Sequence, residues 1–453
     1  MIDTHCHLDM EDFDSDRDEV IKRAEDARIK YIINAGSDRE GNIRGLELSD
    51  KYPIIYSAAG IHPHNATSLD ESLYSELGEW IKRPKVVAVG EIGLDYHYLH
   101  SPKGAQIEAF KKQIALAKEA RLPVIIHSRD AKNDTIRVLK EEMTDISGVL
   151  HCFSGDIEMA NKAMESGLLI SIAGPVTFKN VKDLREVIRF IPDDFLLMET
   201  DAPYLSPVPV RGRRNEPSFL KYTAEVIAEI RGINVSDLAR ITTLNAMRLF
   251  KIGDVTGQGE IAYRIRDSLY LNITNRCTNK CGFCIRSRTS YVKGHNLRLQ
   301  KEPSALQVIK AIKDPKVYKE IVFCGIGEPL LRLDLVKKVA AWVKQNGGRV
   351  RINTNGQGNL IHGKNILPEL KGIVDSLSIS LDAEDEKKYE KICRPSMQGA
   401  YESVVSFTKE AVKVIPEVKV TVVGLPGIDI EKCKKIAGEL GVELRVRKLN
   451  EVG

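Results

Sequence analysis

The stretch Cys277-Thr278-Asn279-Lys280-Cys281-Gly282-Phe283-Cys284 sets three thiols within eight residues, directly after the apolar run 268–274. A disulfide framework is a poor reading for a chain expected to stay in a reducing compartment. A tetrahedral zinc site needs a fourth ligand, and no Cys or His stands at the usual spacing to give one. Three thiolates with one coordination position left open suit an iron–sulfur cluster that binds a small molecule at its free iron, since cluster ligands are normally cysteine thiolates. Of the other cysteines, Cys6 and Cys152 lie among histidines, while Cys324, Cys393 and Cys433 stand alone in the sequence.

A second set of donors occupies the first half: His5, His7, His62, His64, Glu91, His127, His151 and Asp201. His5 and His7 are two residues apart, so an extended chain points both side chains the same way. Imidazoles mixed with carboxylates suit zinc, manganese or magnesium, and a shared carboxylate can bridge two ions.

Short apolar runs position these donors. Eight of them, 1–4, 31–35, 54–59, 86–89, 124–126, 148–150, 168–172 and 195–198, alternate with segments of helical spacing such as 107–120 and 157–166. Eight β-α units in about 250 residues are expected to close into a TIM (β/α)8 barrel, whose chemistry sits at the C-terminal ends of the strands. His5 and His7 follow the first run, His62 and His64 the third, and Glu91, His127, His151 and Asp201 the fourth, fifth, sixth and eighth. After the cysteines the β-α rhythm resumes, with strands expected at 269–273, 320–323, 350–353, 376–380, 419–423 and 443–446. The organisation expected is α/β throughout: a barrel over 1–252, a glycine-bearing linker over 253–266, and a partial (β/α)6 barrel over 267–453.

The motifs Asp3-Thr4-His5-Cys6-His7, Gly60-Ile61-His62-Pro63, Gly90-Glu91-Ile92-Gly93-Leu94-Asp95, His127-Ser128-Arg129, His151-Cys152-Phe153 and Glu199-Thr200-Asp201-Ala202-Pro203 resemble the TatD family of metal-dependent deoxyribonucleases in the amidohydrolase superfamily. The resemblance extends through Arg214-Asn215-Glu216-Pro217 to Asn245-Ala246-Met247-Arg248-Leu249-Phe250. It implies that His5, His7, Glu91, His127, His151 and Asp201 hold one or two divalent cations, with Glu91 shared. It also implies that His62 and Arg129 face the scissile phosphate, and that Asp201 orients or deprotonates the attacking water; Asp201, Glu91 and His62 are the catalytic candidates.

The Cys-x3-Cys-x-aromatic-Cys pattern is similar to the signature of the radical S-adenosylmethionine enzymes. The resemblance implies a 4Fe-4S cluster on Cys277, Cys281 and Cys284, with Phe283 near the adenine of S-adenosylmethionine. Gly325-Ile326-Gly327-Glu328-Pro329 resembles the family's element for the methionine amino group, with Ile326 as a departure. Asn355 of Asn353-Thr354-Asn355-Gly356, and Ser380 and Asp382 of the run 378–382, stand where that family lines the same pocket, and Gly424-Leu425-Pro426-Gly427 where it often places an adenine-contacting loop. The implied reaction is reductive cleavage of S-adenosylmethionine to a 5′-deoxyadenosyl radical that takes hydrogen from an unidentified substrate.

Of 453 residues, 43% are hydrophobic and 29% charged, which fits a soluble globular chain of two or three domains. No apolar run approaches the ~18 residues of a membrane span, and the first histidine motif leaves no room for a signal peptide, so the cytoplasm is the expected location. Residues 1–255 hold 33 Lys+Arg and 41 Asp+Glu, a net of −8; residues 256–453 hold the other 34 and 22, a net of +12. The basic half suits an anionic partner, either nucleic acid or an acidic electron donor of the flavodoxin or ferredoxin type; a lysine-rich solvated surface has the same composition. Arg286, Arg288, Lys293 and Arg298, interleaved with Tyr291 and His295, either track a phosphate-bearing substrate or form an exposed basic loop. The function expected is bifunctional: a DNA phosphodiester hydrolase joined to a radical enzyme acting on a nucleotide-related molecule. The alternatives are that the hydrolase cuts amides or esters, or that the barrel serves only to bind nucleic acid.

Overall fold

Each apolar run of the first half becomes a buried strand. The computed structural model describes residues 1–254, 257–287 and 289–447, and it divides into two units, Met1–Val255 and Thr256–Gly453. In the first, β1 (Ile2–Cys6), β2 (Tyr31–Ala35), β3 (Ile55–Ala59), β4 (Val86–Asp95), β5 (Val124–Arg129), β6 (Gly148–Leu150), β7 (Leu168–Ile172) and β8 (Leu196–Met198) pair in parallel in sequence order. The loop after β8 returns to β1: Asp201 N–H donates to His5 O (2.9 Å) and His7 N–H to Ala202 O (2.7 Å).

Strand alternation divides the apolar residues of this TIM-like barrel into two layers. Ile2, Ile33, Ala58, Ala88, Ile125, Val149 and Leu197 form the inner one, and Met247, Leu249 and Phe250 of the helix Val235–Phe250 join it. Their neighbours, among them Ile32, Ile55, Val89, Ile126 and Leu196, face the surrounding helices. With one end of the barrel filled by apolar side chains, polar groups gather at the strand C-termini.

In the second unit β9 (Ala262–Ile265), β10 (Ser268–Leu271), β13 (Ile321–Phe323), β14 (Val350–Thr354), β15 (Ser376–Ser380), β16 (Glu417–Val423) and β17 (Glu443–Arg447) form one sheet, ordered β17-β16-β15-β14-β13-β10-β9, and β11 (Tyr291–Val292) and β12 (His295–Asn296) a separate hairpin. Six strands are parallel, the open architecture expected of a partial (β/α)6 barrel; β9 alone runs antiparallel. Part of the stretch read as linker, 262–265, is therefore an edge strand. Tyr263 and Ile265 are buried on it, and Arg266, at φ +56°, turns the chain directly into β10. No helix among the described residues is long and apolar enough to cross a membrane.

Candidate active sites

Glu91 is the centre of the first site. It lies on β4, all of whose residues are buried, just past Gly90, where a Cβ would lie 2.6 Å from Ile125 Cβ. Only glycine lets β4 and β5 approach so closely, and the approach brings Glu91 beside His127. The two carboxylate oxygens face different partners. Oε1 is 2.8 Å from His127 Nδ1 and 2.7 Å from His151 Nε2. Oε2 is 3.3 Å from His5 Nε2 and 3.5 Å from His7 Nε2. Asp201 Oδ1 joins the second pair, 3.7 Å from His5 and 3.6 Å from His7, on a backbone held at φ +58°, an uncommon conformation that clusters at functional sites. Burial alone would raise the Glu91 carboxyl; the charges of His151, His62 and His5 outweigh it and hold it well below the usual carboxylate range.

The outer nitrogens of His7 and His127 settle which face of those two imidazoles is free. His7 Nδ1 lies 2.9 Å from Ala35 O, so it donates there and leaves Nε2 as a lone pair. His127 Nε2 lies 3.1 Å from Asp95 Oδ2 and donates there, so in the neutral ring Nδ1, beside Glu91, keeps the lone pair a metal ion would take. His151 Nδ1 faces Glu199 Oε1 at 3.4 Å. A second group fixing the tautomer of each imidazole is the usual support of a histidine metal ligand. His5 Nδ1 and His151 Nδ1 are buried with no hydrogen-bond partner among the described residues, the approach of His151 to Glu199 being an ion-pair contact. The donors fit one or two divalent ions: four imidazole nitrogens and two carboxylates converge in a buried pocket, with one carboxylate common to both pairs. The groupings His5-His7-Asp201, His5-His151-Glu199 and His62-Glu91-His127 each bring their donor atoms within 4.8 Å of one another.

Asp95 and Glu199 were not among the site residues expected from sequence, although both lie in the quoted motifs. Asp95 also takes His64 Nε2 at 3.1 Å and the backbone N–H groups of His97 and Tyr98. Its signal is its spacing of four from Glu91 along one strand, which places both on the same face. Asp95→Asn should leave the fold intact while lowering metal affinity about 10- to 100-fold, measured by titrating metal into metal-free protein.

His62 is placed differently. Its Nδ1 accepts from His64 N–H (3.1 Å), so in the neutral ring Nε2 carries the proton, 3.4 Å from Glu91 Oε1. Burial drives its pKa down to about 4 against the pull of Glu91, so it is a neutral donor at physiological pH. Arg129 is exposed at the end of β5, its guanidinium 4.9 Å from the Tyr98 ring centroid. A cavity of about 730 Å³ opens here, lined by His151, Phe153, Tyr96, Lys103 and Lys132 among others.

The three cysteines of the motif share a cavity of about 280 Å³. Cys277, Cys281, Cys284, Phe283, Gly325, Gly327, Glu328, Asn355, Ser380 and Asp382 all line it. Pro329 starts the short helix behind it and is buried. The three thiols are free, and burial pushes that of Cys277 up to about 12, so ligation there would displace a proton. Three unpaired thiols on one cavity wall fit a cluster.

Glu328, in the element expected to receive the methionine amino group, lines the cavity and is oriented by bonds to the protein. Oε1 accepts from Thr354 Oγ1 (2.8 Å) and Leu330 N–H (2.9 Å), and Oε2 from Asn355 N–H (2.7 Å). Burial lifts its pKa to about 7 in spite of these bonds. Gly325 and Gly327 have a packing reason of their own: a Cβ would lie 2.2 Å from Asn272 Oδ1 and 2.3 Å from Thr274 O, on the segment that leads into the cysteines. Asn355 Nδ2 donates to Thr278 Oγ1 (2.7 Å) inside the cysteine loop.

Cys324 and Cys393, isolated in sequence, are not isolated here. Cys324 lines the same cavity, and Cys393 packs fully buried in the core against which Cys281 rests. The basic segment is partly used internally: Arg286 donates to Asn279 O (2.7 Å), bracing the cysteine loop, and His295 pairs with Glu260 at 2.8 Å. Arg288 lies outside the described residues. Behind the loop, Tyr389 OH accepts from Asn279 Nδ2 (3.0 Å) and Gln357 Nε2 (3.1 Å). Tyr389→Phe strips two buried donors of this acceptor and should cost about 1–3 kcal/mol, read from the unfolding transition of the second unit.

Comparison with known proteins finds a family for each unit. The family model for TatD related DNase matches residues 2–251, and that for the radical SAM superfamily matches residues 271–440. An uncharacterized metal-dependent hydrolase of Bacillus subtilis, YabD, is 48% identical over 253 residues, 56% of this chain and 99% of YabD. The 3′-5′ ssDNA/RNA exonuclease TatD of Erwinia tasmaniensis is 38% identical over 259 residues, 56% of this chain and all of that protein. The crystal structure of YJJV, a TatD homologue from Escherichia coli K12, aligns with a TM-score of 0.54 at 32% identity, over 56% of this chain and 98% of that one. A histidine–carboxylate centre in a matched barrel and a cysteine triplet in a matched second domain make this chain a member of the TatD related DNase family that also carries a radical SAM domain.

Proposed function

We propose that the first unit hydrolyses phosphodiesters in single-stranded nucleic acid and that the second performs radical chemistry on S-adenosylmethionine. The observation that carries the first reading is Glu91, whose Oε2 faces His5 and His7 while Oε1 faces His127 and His151, with His62 beside it. One or two divalent ions (magnesium, manganese or zinc), held by His5, His7, Glu91, His127, His151 and Asp201, would lower the pKa of a bound water and stabilise charge on the phosphate. Neutral His62 donates its Nε2 proton to an oxygen of the scissile phosphate, and Arg129 at the rim faces the same phosphate. Asp201, facing His5 and His7, accepts the proton of the attacking water.

A 4Fe-4S cluster held by Cys277, Cys281 and Cys284 would supply the electron that cleaves S-adenosylmethionine. Phe283, Ser380 and Asp382 wall the cavity in which that cofactor is oriented, and the Thr278–Asn355 bond fixes the loop beside it. An acidic flavodoxin- or ferredoxin-type donor in the cytoplasm meets the net positive half.

The test is metal-stimulated cleavage by the purified full chain of single-stranded DNA, single-stranded RNA, and a panel of amides and esters. Nucleic acid should be cut and the panel left intact. Turnover of the panel alone would replace the phosphodiester reading with an amidase or esterase.

A further inference from the structure

Three buried polar groups stand incomplete behind the Glu91 centre. His5 is fully buried and His151 is 5% exposed, and the Nδ1 of each has no hydrogen-bond partner among the described residues. Their Nε2 atoms are turned the other way, toward Glu91 Oε2 and Oε1 respectively. A neutral ring that offers the Nε2 lone pair to an ion carries its proton on Nδ1. Each Nδ1–H therefore needs an acceptor, because a buried donor left unsatisfied is costly. The third group is Glu199, fully buried two residues before Asp201. Its one ion-pair contact among the described residues is His151 Nδ1, at 3.4 Å. Oε1 accepts the Cys152 N–H, on a backbone at φ +43°, while Oε2 meets Thr4 Oγ1 only at 3.5 Å. That hydroxyl has one proton and also reaches Met198 O at 3.0 Å, so Oε2 keeps a lone pair to spare.

A buried carboxylate and two buried N–H groups without acceptors complete one another. His5, His151 and Glu199 each bring a donor atom within 4.8 Å of the other two. The two rings stack at 3.9 Å and 15°, so a carboxylate behind one lies behind both. We propose that Glu199 is a positioning residue shared by two ion positions: its carboxylate takes the Nδ1–H of His5, on the Oε2 side of Glu91, and that of His151, on the Oε1 side. The proposal rests on the metal-centre reading of this site and adds what ties its two positions together. Asp95 braces His127 alone among the residues that would hold the ions, so it supports one position where Glu199 supports both.

The experiment titrates zinc into the metal-free full chain as wild type, Glu199→Gln and Asp95→Asn, and records the ring N–H signals of nitrogen-15-labelled histidine in the zinc-loaded protein. Glutamine keeps the size of Glu199 and one acceptor oxygen for the Cys152 N–H, so a role confined to holding that turn survives the change. Its amide nitrogen cannot accept from an imidazole. Glu199→Gln should weaken zinc at both positions by about 10- to 100-fold, and Asp95→Asn at one. Wild type should show two exchange-protected Nδ1–H signals that Glu199→Gln displaces together, whereas Asp95→Asn displaces a single Nε2–H signal. Zinc affinities unchanged in Glu199→Gln overturn the proposal, as does weakening at one position only or uptake of a single equivalent by wild type. Loss of one whole equivalent with the other bound at wild-type affinity would make Glu199 a ligand itself and likewise overturns it. Wild-type protein lacking the two Nδ1–H signals does so whether or not the variant folds. None of these readouts needs hydrolysis, so a chain that takes up zinc yet cuts no nucleic acid loses the phosphodiester reading and keeps this one.

Discussion

His5→Ala should reduce metal-dependent cleavage of single-stranded DNA by on the order of 10³-fold or more, because a lost ligand forfeits several kcal/mol of transition-state stabilisation. His5 is fully buried, and its Nε2 lies in the group formed by Glu91, His7 and Asp201. Its ring also stacks on His151 at 3.9 Å, so the substitution loosens the other pair of donors as well. Asp201→Asn is the complementary change. It keeps the shape and the left-handed backbone, which Asn tolerates, and removes the negative charge. Both variants should keep the barrel folded, since the inner apolar layer does not include either residue, and both should bind metal less tightly. Cleavage at the wild-type rate by either variant, in a preparation free of contaminating nuclease, would remove the metal-centre assignment.

Cys281→Ala should abolish the iron–sulfur chromophore and all S-adenosylmethionine cleavage while leaving DNA cleavage at the wild-type rate. Two remaining thiols cannot hold the cluster that three were placed to hold. The loop itself should stay docked, because its anchors are backbone bonds from Lys280 N–H to Cys393 O (3.0 Å) and from Gly282 N–H to Ile392 O (3.0 Å). Cys281→Ser, close in size, separates ligation from packing: it should lose the chromophore just as completely. Iron content, absorbance and 5′-deoxyadenosine release are the three readouts. Retention of bound iron in both variants would mean that Cys281 is a packing residue and that a neighbour, such as Cys393 in the adjoining core, serves in its place.

Much of this was legible because both sites lie at strand ends. Apolar runs such as 168–172 and 376–380 coincide with whole strands, and the donors that follow them fall at one end of the sheet once the strands are parallel. What escaped depends on partners distant in sequence. Asp95 holds His127 from 32 residues away and Glu199 faces His151 from 48, so their supporting roles follow from the closed barrel and not from local pattern. Cys393 joins Cys281 only because the helix Glu386–Cys393 ends against the cysteine loop. Glu328 stands in a motif that suggests a ligand contact, but the bonds from Thr354 and Asn355 that orient it come from a strand end distant in sequence. β9 escaped because Gly253, Gly257 and Gly259 resemble punctuation, while the alternation that buries Tyr263 and Ile265 covers only four residues. Short edge strands carry too few residues for periodicity to outweigh nearby glycine.

The most direct test of two chemistries on one chain is a single anaerobic, cluster-reconstituted preparation assayed both for 5′-deoxyadenosine release, with S-adenosylmethionine and a reductant, and for metal-dependent cleavage of single-stranded DNA, in wild type, His5→Ala and Cys281→Ala. The account predicts both activities in wild type, loss of cleavage in His5→Ala, and loss of 5′-deoxyadenosine release in Cys281→Ala with cleavage retained. Release by Cys281→Ala equal to that of wild type, or no release by wild type under any condition, would contradict it and leave a metal-dependent hydrolase whose second domain has another use.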